Sequence, residues 1–377
     1  MLEITYEEIS KKDADGYLIA DIRDEKSYAF GHLPGAVNIP RETLLSSELP
    51  KDKEIFLCFR SGNVSRETAE ELRERGYNAF SVSGGYFGWL GGNLGDLSGD
   101  EKAARVEESI RKKFHKKLFS KFAKAVVTYG MISEGDRIAV CISGGKDSML
   151  MAKLFQELKR HGKISFEPVF LVMDPGYSPE NRRVIELNAK MLGVPVTVFE
   201  SDIFENVYNV PKSPCYLCAR MRRGHLYAKA RELGCNKIAL GHHYDDVIET
   251  ILMGMLYGGQ VQTMMPKLRS TNFEGMELIR PMYLVREADI KAWRDYNSLR
   301  FIQCACKFTD TCTSESCLTS GNTGSKRKKV KELIASIAKE DPEIEQNIFK
   351  SVENVNLSTV IAYKDKDGER HLFTDEY

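Results

Sequence analysis

One alternation governs the chain from Arg137 to about residue 257. A short apolar run is followed by a longer run at helical period, and the pair recurs. Strand 137–142 precedes a helix from about 146 to 161, and strand 168–173 a helix over about 180–192. Strand 195–199 precedes a helix over about 218–233, and strand 237–241 a helix over about 245–257. Apolar runs this short read as strands buried on both faces, and the longer periodic runs as helices. Parallel strands need a crossover, which a helix supplies, so the pattern predicts a doubly wound parallel sheet of the α/β class. Ligands of such sheets bind outside the carboxyl ends of the strands.

The 377 residues exceed one such domain, since roughly 100–200 residues make a domain. A smaller alternation comes first: 17–20 and 55–58 read as buried strands, and 65–76 as a helix closed by Gly76. The expected division is a small α/β domain over 1–92, a linker over 93–110 that starts in the Gly/Asp-rich stretch 91–100, a larger domain over 111–355 and a polar tail over 356–377. Residues 326–355 read as helix. No run of about 18 apolar residues offers a membrane span, and Met1-Leu2-Glu3-Ile4-Thr5 lacks the basic and apolar regions of a secretory signal. The expectation is a cytoplasmic protein with no membrane contact. Its nine cysteines are then expected as catalytic, metal-binding or buried thiols rather than disulfides.

Equal numbers of basic and acidic side chains, 54 each, conceal three blocks. Residues 1–100 carry a net charge of −7, residues 101–331 of +13 and residues 332–377 of −6. A basic middle between acidic ends predicts a polyanion site in the middle. Its densest part is Arg111, Lys112, Lys113, Lys116, Lys117, Lys121 and Lys124, with no acidic residue among them. Phe114, Phe119 and Phe122 interleave at helix-compatible spacing and are expected to face the core, leaving the cations for a phosphate backbone. Lys326-Arg327-Lys328-Lys329 is a second basic run.

Strand 137–142 leads into Ser143-Gly144-Gly145-Lys146-Asp147-Ser148 and then a helix. Two glycines let the backbone approach a phosphate, N–H groups at the helix start stabilise its charge, and Lys146 adds a cation. The spacing is not GxxxxGK[ST]. It resembles the PP-loop of N-type ATP pyrophosphatases, which split ATP into AMP and pyrophosphate and adenylate a substrate oxygen. Gly241-His242-His243-Tyr244-Asp245-Asp246 with Glu249-Thr250 resembles the second signature of the branch that thiolates tRNA. The resemblance implies ATP on Ser143, Gly144, Gly145, Lys146, Asp147 and Ser148 with Gly241 and His242, and a catalytic role for Asp147. Asp245 and Asp246, at a strand end, are expected to hold Mg²⁺ against the leaving pyrophosphate. The plain alternative is an exposed, acidic helix start.

Pro214-Cys215-Tyr216-Leu217-Cys218 opens a helix that also carries Arg220, Arg222 and Arg223. Two thiolates in C-x-x-C reach one metal ion or cluster, though the motif also serves redox and zinc sites. From about Met131 to Cys306 the chain resembles the tRNA 2-thiocytidine synthetase family (TtcA type). The matching segments include Met131-Ile132-Ser133-Glu134-Gly135-Asp136-Arg137, the PP-loop, the cysteine pair with Arg222-Arg223-Gly224, Tyr257-Gly258-Gly259 and Arg280-Pro281. That resemblance implies a [4Fe–4S] cluster held by three cysteines, with one iron open to sulfide. Cys215 and Cys218 carry over directly. For the third ligand the family has Cys-x-x-Cys where this chain has Cys304-Ala305-Cys306; Cys304 aligns best and Cys306 is the runner-up. Cys312 and Cys317 depart from the pattern and leave a small zinc site open, as does the main site itself, since three cysteines with an open position also suit zinc. Cys141, in a strand, and Cys235, after a helix, are expected to be structural.

Asp21-Ile22-Arg23 with Gly31-His32-Leu33-Pro34-Gly35-Ala36-Val37-Asn38-Ile39-Pro40 resembles the rhodanese domain, which carries a persulfide cysteine at a strand end. There the chain has Cys58-Phe59-Arg60-Ser61-Gly62-Asn63-Val64-Ser65. Converging N–H groups before a helix lower a thiol's pKa and stabilise a persulfide, and Arg60 is expected to assist. The common loop is C-x-x-G-x-R-S. Counted back from Gly62, Phe59 takes the cysteine position. Counted from Cys58, the loop is one residue longer and Val64 replaces the usual arginine. The rhodanese domain of tRNA 2-selenouridine synthase has this longer form, and Cys58–Ser65 fits it without a gap. An active Cys58 is the expectation; a degenerate domain used for docking is the alternative.

Together the resemblances imply a rhodanese-like domain fused to a PP-loop tRNA sulfurtransferase. Cys58 would receive a persulfide from a cysteine desulfurase or other donor, and sulfide would pass to the cluster. The C2 oxygen of a tRNA cytidine would be adenylated and replaced by sulfur. Lys112, Lys113, Lys116, Lys117, Lys121, Arg222 and Arg223 are expected to meet RNA, and a homodimer is expected. The alternatives are another tRNA base or a small acceptor, and a non-catalytic RNA-binding or sulfur-carrier protein.

Overall fold

Two parallel sheets carry the fold of the chain, here a computed structural model. It describes residues 2–60, 62–95, 99–177, 179–203, 214–302, 326–365 and 367–376. The first sheet has β1 (Glu3–Ile4), β2 (Tyr17–Asp21), β3 (Ala36–Asn38), β4 (Glu54–Cys58) and β5 (Ala79–Val82), in the order β1-β5-β4-β2-β3 and parallel throughout. Its two central strands are the runs legible as buried, and β2 sets Asp21 opposite Cys58 of β4. Helix Asn63–Glu74 buries Val64, Thr68, Ala69 and Leu72, a helical stripe, against Ile55 and Leu57. It stops at Gly76, whose positive φ of 85° lets the Gly76 and Tyr77 N–H groups turn back to the Arg73 and Leu72 carbonyls.

The second sheet has β6 (Arg137–Ile142), β7 (Glu167–Asp174), β8 (Val196–Glu200), β9 (Lys237–Ala239), β10 (Lys267–Arg269) and β11 (Glu277–Ile279). The order is β10-β11-β9-β6-β7-β8, parallel except for the β10 edge. The chain leaves β6 in one direction through β7 and β8, then returns to place β9 on the other side of β6. The loops after β6 and β9 therefore meet at a topological switch point, where α/β sheets bind ligands. Cys141 and Cys235 lie in the core beside Ala139, Leu171 and Ile238, as expected, and burial pushes the Cys141 thiol up to about 12.

Several stretches differ from the expectation. Residues 101–130 read as helix from sequence, and Gly99–Arg111 form one, although most of that stretch also falls in the expected linker 93–110. Its Glu107 lies 2.7 Å from the buried Lys153 ammonium, which also donates to the Leu192 carbonyl, so this stretch belongs to the second domain's packing. Next come a π-helical turn, His115–Phe119, and helix Ser120–Thr128. Phe114 and Phe122 are buried, as the sequence led one to expect, while the flanking lysines are exposed. The single helix over 326–355 divides into Lys326–Ile337 and Ile344–Lys350. Pro342, which lacks an N–H and restrains the residue before it, stands in the break. The polar tail contains a hairpin of β12 (Ala362–Lys364) and β13 (Arg370–Leu372).

Contacts separate two compact units. One comprises the residues up to His243 with those from Pro266, and so holds both parallel sheets; the other comprises Tyr244–Met265 with the carboxyl-terminal helices and hairpin. Among the described residues, no helix is long and apolar enough to cross a membrane.

Candidate functional site

The loop after β6 is built for a phosphate. Gly144 has a φ of +85°, and a Cβ there would meet Ile185 Cγ1 at 2.5 Å and Ile302 Cδ1 at 2.8 Å. Only glycine fits that conformation and that gap. Gly145 then caps helix Lys146–His161 without any side-chain hydrogen bond, so the first-turn N–H groups stay available to an anion. Ser148 braces the loop: its hydroxyl lies 3.1 Å from the Ser143 N–H and donates to the Gly145 carbonyl at 3.1 Å.

The segment after β9 closes on the same place. Gly241 lies against the helix start, where a Cβ would make an ordinary contact, 3.4 Å, with the Ser148 N and Cα. His243 is buried, and its Nε2 lies 4.0 Å from Asp147 Oδ1, a buried atom that accepts no hydrogen bond among the described residues. Lys146 Nζ bridges Asp147 Oδ2 at 3.0 Å and Glu287 Oε1 at 3.3 Å. A cradle that excludes side chains, an uncapped helix start, a lysine and an orphaned carboxylate oxygen fit a nucleotide phosphate chain with its cation. Thus Ser143 to Ser148 and Gly241 come together, with half-buried His242 beside them. His243 and Glu287 were not singled out from sequence. His243 stands inside the quoted motif; nothing local marks Glu287, which arrives on helix Glu287–Tyr296.

Asp245 and Asp246 open helix Tyr244–Gly258 in the other unit. There Asp246 Oδ1 lies 2.5 Å from the Arg327 guanidinium, which also binds Glu249 at 2.6 Å. Asp246, expected to hold Mg²⁺, is thus already ion-paired.

Cys215 and Cys218 lie in helix Pro214–Glu232. Cys218 is buried. Cys304, Cys306, Cys312 and Cys317 lie outside the described residues.

In the first sheet, β4 runs through Cys58, and the next helix begins at Asn63 behind Gly62, whose φ is +97°. Cys58 is thus the last residue of β4. Cys58 is fully buried, with its Sγ 3.6 Å from the Phe59 carbonyl oxygen. Burial, then the Asp21 charge, push the thiol well up, against a smaller pull from Arg23. Arg23 is itself buried, bonded to Asp21 at 2.8 and 2.5 Å and to the Gly31 carbonyl at 2.6 Å, and its guanidinium lies 4.1 Å from the Tyr86 ring centre. Arg60 reaches outward to Asp24 at 3.4 Å.

The second domain touches this cluster. Helix Glu287–Tyr296 ends at Ser298, whose φ is +50°, and the chain turns into the strap 299–302. Arg300 stands beside Gly31 and lowers the Tyr86 hydroxyl pKa against the larger effect of burial. Two residues on, Ile302 backs Gly144 of the phosphate loop.

Of the expected RNA-facing cations, Lys116 and Lys121 are exposed. Lys112 pairs with Glu108 and Lys117 with Asp289, and Lys113 lies 3.7 Å over the Tyr296 ring. Arg222 and Arg223 diverge: Arg222 donates to the Tyr177 hydroxyl at 3.1 Å, while Arg223 is exposed in a groove described below.

Comparison with known proteins agrees with this geometry. The PP-loop domain family matches residues 110–308 and the rhodanese-like domain family residues 3–91. The tRNA-cytidine(32) 2-sulfurtransferase of Anaeromyxobacter dehalogenans is 36% identical over 263 residues, 69% of this chain and 85% of the relative. That of Alcanivorax borkumensis is 38% identical over 249 residues, 64% of this chain and 82% of the relative. A more distant likeness is to the U34-tRNA thiolase NcsA of Methanococcus maripaludis, solved with its [4Fe–4S] cluster. It has 20% identity and a TM-score of 0.48, covering 62% of this chain and 76% of that one. With its phosphate loop, its second signature and these relatives, the chain belongs to the tRNA-cytidine 2-sulfurtransferase family of PP-loop proteins, joined to a rhodanese-like domain.

Proposed function

We propose that the protein is an ATP-dependent tRNA sulfurtransferase that converts a cytidine to 2-thiocytidine. The observation that carries this reading is the convergence of 143–148 and 241–243 on one phosphate cradle, in a chain whose relatives bear that activity in their names. The C2 oxygen of the base attacks the α-phosphorus of ATP and pyrophosphate leaves. Sulfide then attacks C2, and AMP leaves with the original oxygen. The N–H groups at the start of helix Lys146–His161 and the Lys146 ammonium hold the phosphates. Asp147 orients Lys146 and would help hold the Mg²⁺ that accompanies ATP, and Ser148 keeps the loop in shape. Cys215, Cys218 and Cys304, with Cys306 as the other candidate, would hold an iron–sulfur cluster; when bound it supplies the sulfide.

Relay of sulfur through Cys58, from a cysteine desulfurase or another persulfide donor, would complete the proposal under two conditions: a thiol reductant is oxidised to a disulfide as the outer sulfur leaves as sulfide, and the Cys58 thiol becomes accessible. Its burial favours a second reading of this part alone, a docking domain without chemistry. Cys58→Ser separates the two: a relay predicts loss of thiosulfate:cyanide sulfurtransfer with ATP binding intact, whereas full transfer in the variant leaves docking. The central test is mass spectrometry of tRNA nucleosides from cells lacking the gene and cells re-expressing it. Restoration of 2-thiocytidine is expected, and an unchanged level would defeat the assignment. Iron and sulfide analysis after anaerobic purification tests the cluster, which a colourless, zinc-only protein would exclude.

A further inference from the structure

Between helix Pro214–Glu232 and the β10–β11 hairpin lies a groove of about 690 Å³. It starts beside Cys218, at Leu217 and Met221, and runs to Phe273 on the hairpin turn. Its floor is apolar: Leu217, Met221, Tyr227 and Leu278, with Leu268 left 45% exposed. Three guanidinium groups line it, Arg220, Arg223 and Arg269, and among the described residues no carboxylate does. Neither Arg220 nor Arg223 forms an ion pair among the described residues, and Arg269 meets only Glu277, at 3.9 Å with its own side chain 92% exposed. The far end is closed by Tyr227 and Phe273, stacked at 5.1 Å and 15°, with Arg231 5.5 Å from the Phe273 ring centre. Ser270, Thr271 and Asn272 add polar groups at the rim.

We propose that this groove holds a single-stranded RNA segment of the substrate: a base lies on the apolar floor and its phosphates meet Arg220, Arg223 and Arg269. The inference rests on the tRNA reading above and deepens it. Arginines around an apolar floor, two of them without an ion pair among the described residues, are complementary to a nucleotide, which offers a flat π-face and an anion together. The volume falls within the roughly 300–1,000 Å³ of pockets that take one small ligand, so the groove suits a splayed nucleotide rather than a duplex. Its mouth adjoins the helix turn that bears Cys218, so a chain of nucleotides lying in it leads toward that cysteine. Arg223 was expected to meet RNA; Arg220, Arg269 and Phe273 were not, since the groove needs a hairpin distant in sequence.

The test is tRNA binding by filter retention across a salt series, using the full chain, the double variant Arg220→Ala/Arg223→Ala and the matching double lysine variant. The alanine variant is expected to bind tRNA about tenfold more weakly, with the slope of log K against log salt reduced by about 1.4 for two lost phosphate contacts. The lysine variant is expected to keep the slope. Phe273→Leu is expected to weaken binding without changing the slope. The melting temperature is expected to be unchanged in the arginine variants. Unchanged affinity and slope in a folded alanine variant would overturn the groove as an RNA subsite, and an acidic protein segment would become the occupant to test. Failure of the parent protein to bind tRNA would instead overturn the reading on which the groove rests.

Discussion

A single methyl group decides whether the phosphate loop exists. Gly144→Ala would set a Cβ against Ile185 and Ile302 at 2.5 and 2.8 Å while holding alanine at a φ of +85°. The left-handed conformation alone costs roughly 1–2 kcal/mol, and the close contacts add to it. ATP affinity, measured by calorimetric titration, should fall at least about tenfold. The motif made this position legible, but not its cause, because Ile302 arrives from a distant part of the chain. Cys58 teaches the converse. Its position at a strand end was legible, yet sequence spacing could not say whether the strand ends before or at the cysteine, and that one residue sets the side chain's surroundings. A third residue matters for stability. Burial pushes the Asp136 carboxyl up, but Lys237 at 2.7 Å, Asn236 and the Ser133 N–H outweigh it and hold the group below the usual range. A depressed carboxyl pKa adds stability that is full above the unfolded value of about 3.9 and is lost as pH falls through the folded value. Asp136→Asn should therefore melt earlier than the parent protein at neutral pH, and the gap between their melting temperatures should narrow below about pH 4.

Among the elements, strands buried on both faces were the most legible, because a continuous apolar run survives any detail of packing. β6 and the helix that follows it came out as read. The short strands β10, at the edge, and β11 beside it did not, since three residues carry no period. Helix Lys326–Ile337 shows how context redirects a motif. Its basic start was legible as a possible polyanion patch, but Arg327 binds Asp246 and the buried Glu249 on helix Tyr244–Gly258. Removing it would leave a carboxylate buried without its closest partner, which is more damaging than never having had the pair. Arg327→Ala should lower the melting temperature measurably. Arg327→Lys should recover only part of the loss, because one ammonium cannot span both carboxylates as the planar fork does. Equal melting of all three proteins would show that the pair is only a surface contact.

For the whole molecule, the charge blocks align with the division of the chain. The acidic first hundred residues form the rhodanese-like sheet, and the basic middle holds the phosphate cradle and the arginine-lined groove. Composition foretold the division but not the attachment, since contacts between domains leave no local signature. The two domains share the strap 299–302, with Arg300 at Gly31 and Tyr86 and Ile302 at Gly144. Arg300→Glu would bring a carboxylate to a site evolved around a guanidinium. Differential scanning calorimetry should then resolve an earlier transition for the amino-terminal domain, absent in the parent protein; one unsplit transition in the variant would mean that the strap contributes little to docking.

The same strap bears on the history of the fusion. Because Gly31 has no side chain, Tyr86 and Arg300 can crowd against it, and a homologous amino-terminal module with any larger residue there would arrive with its lock already filled. Interchange between lineages is thereby confined to modules that carry both the glycine and the tyrosine. The pairing of these two domains should be inherited as a unit, with substitutions at 31, 86 and 300 travelling together, rather than reassembled from interchangeable parts.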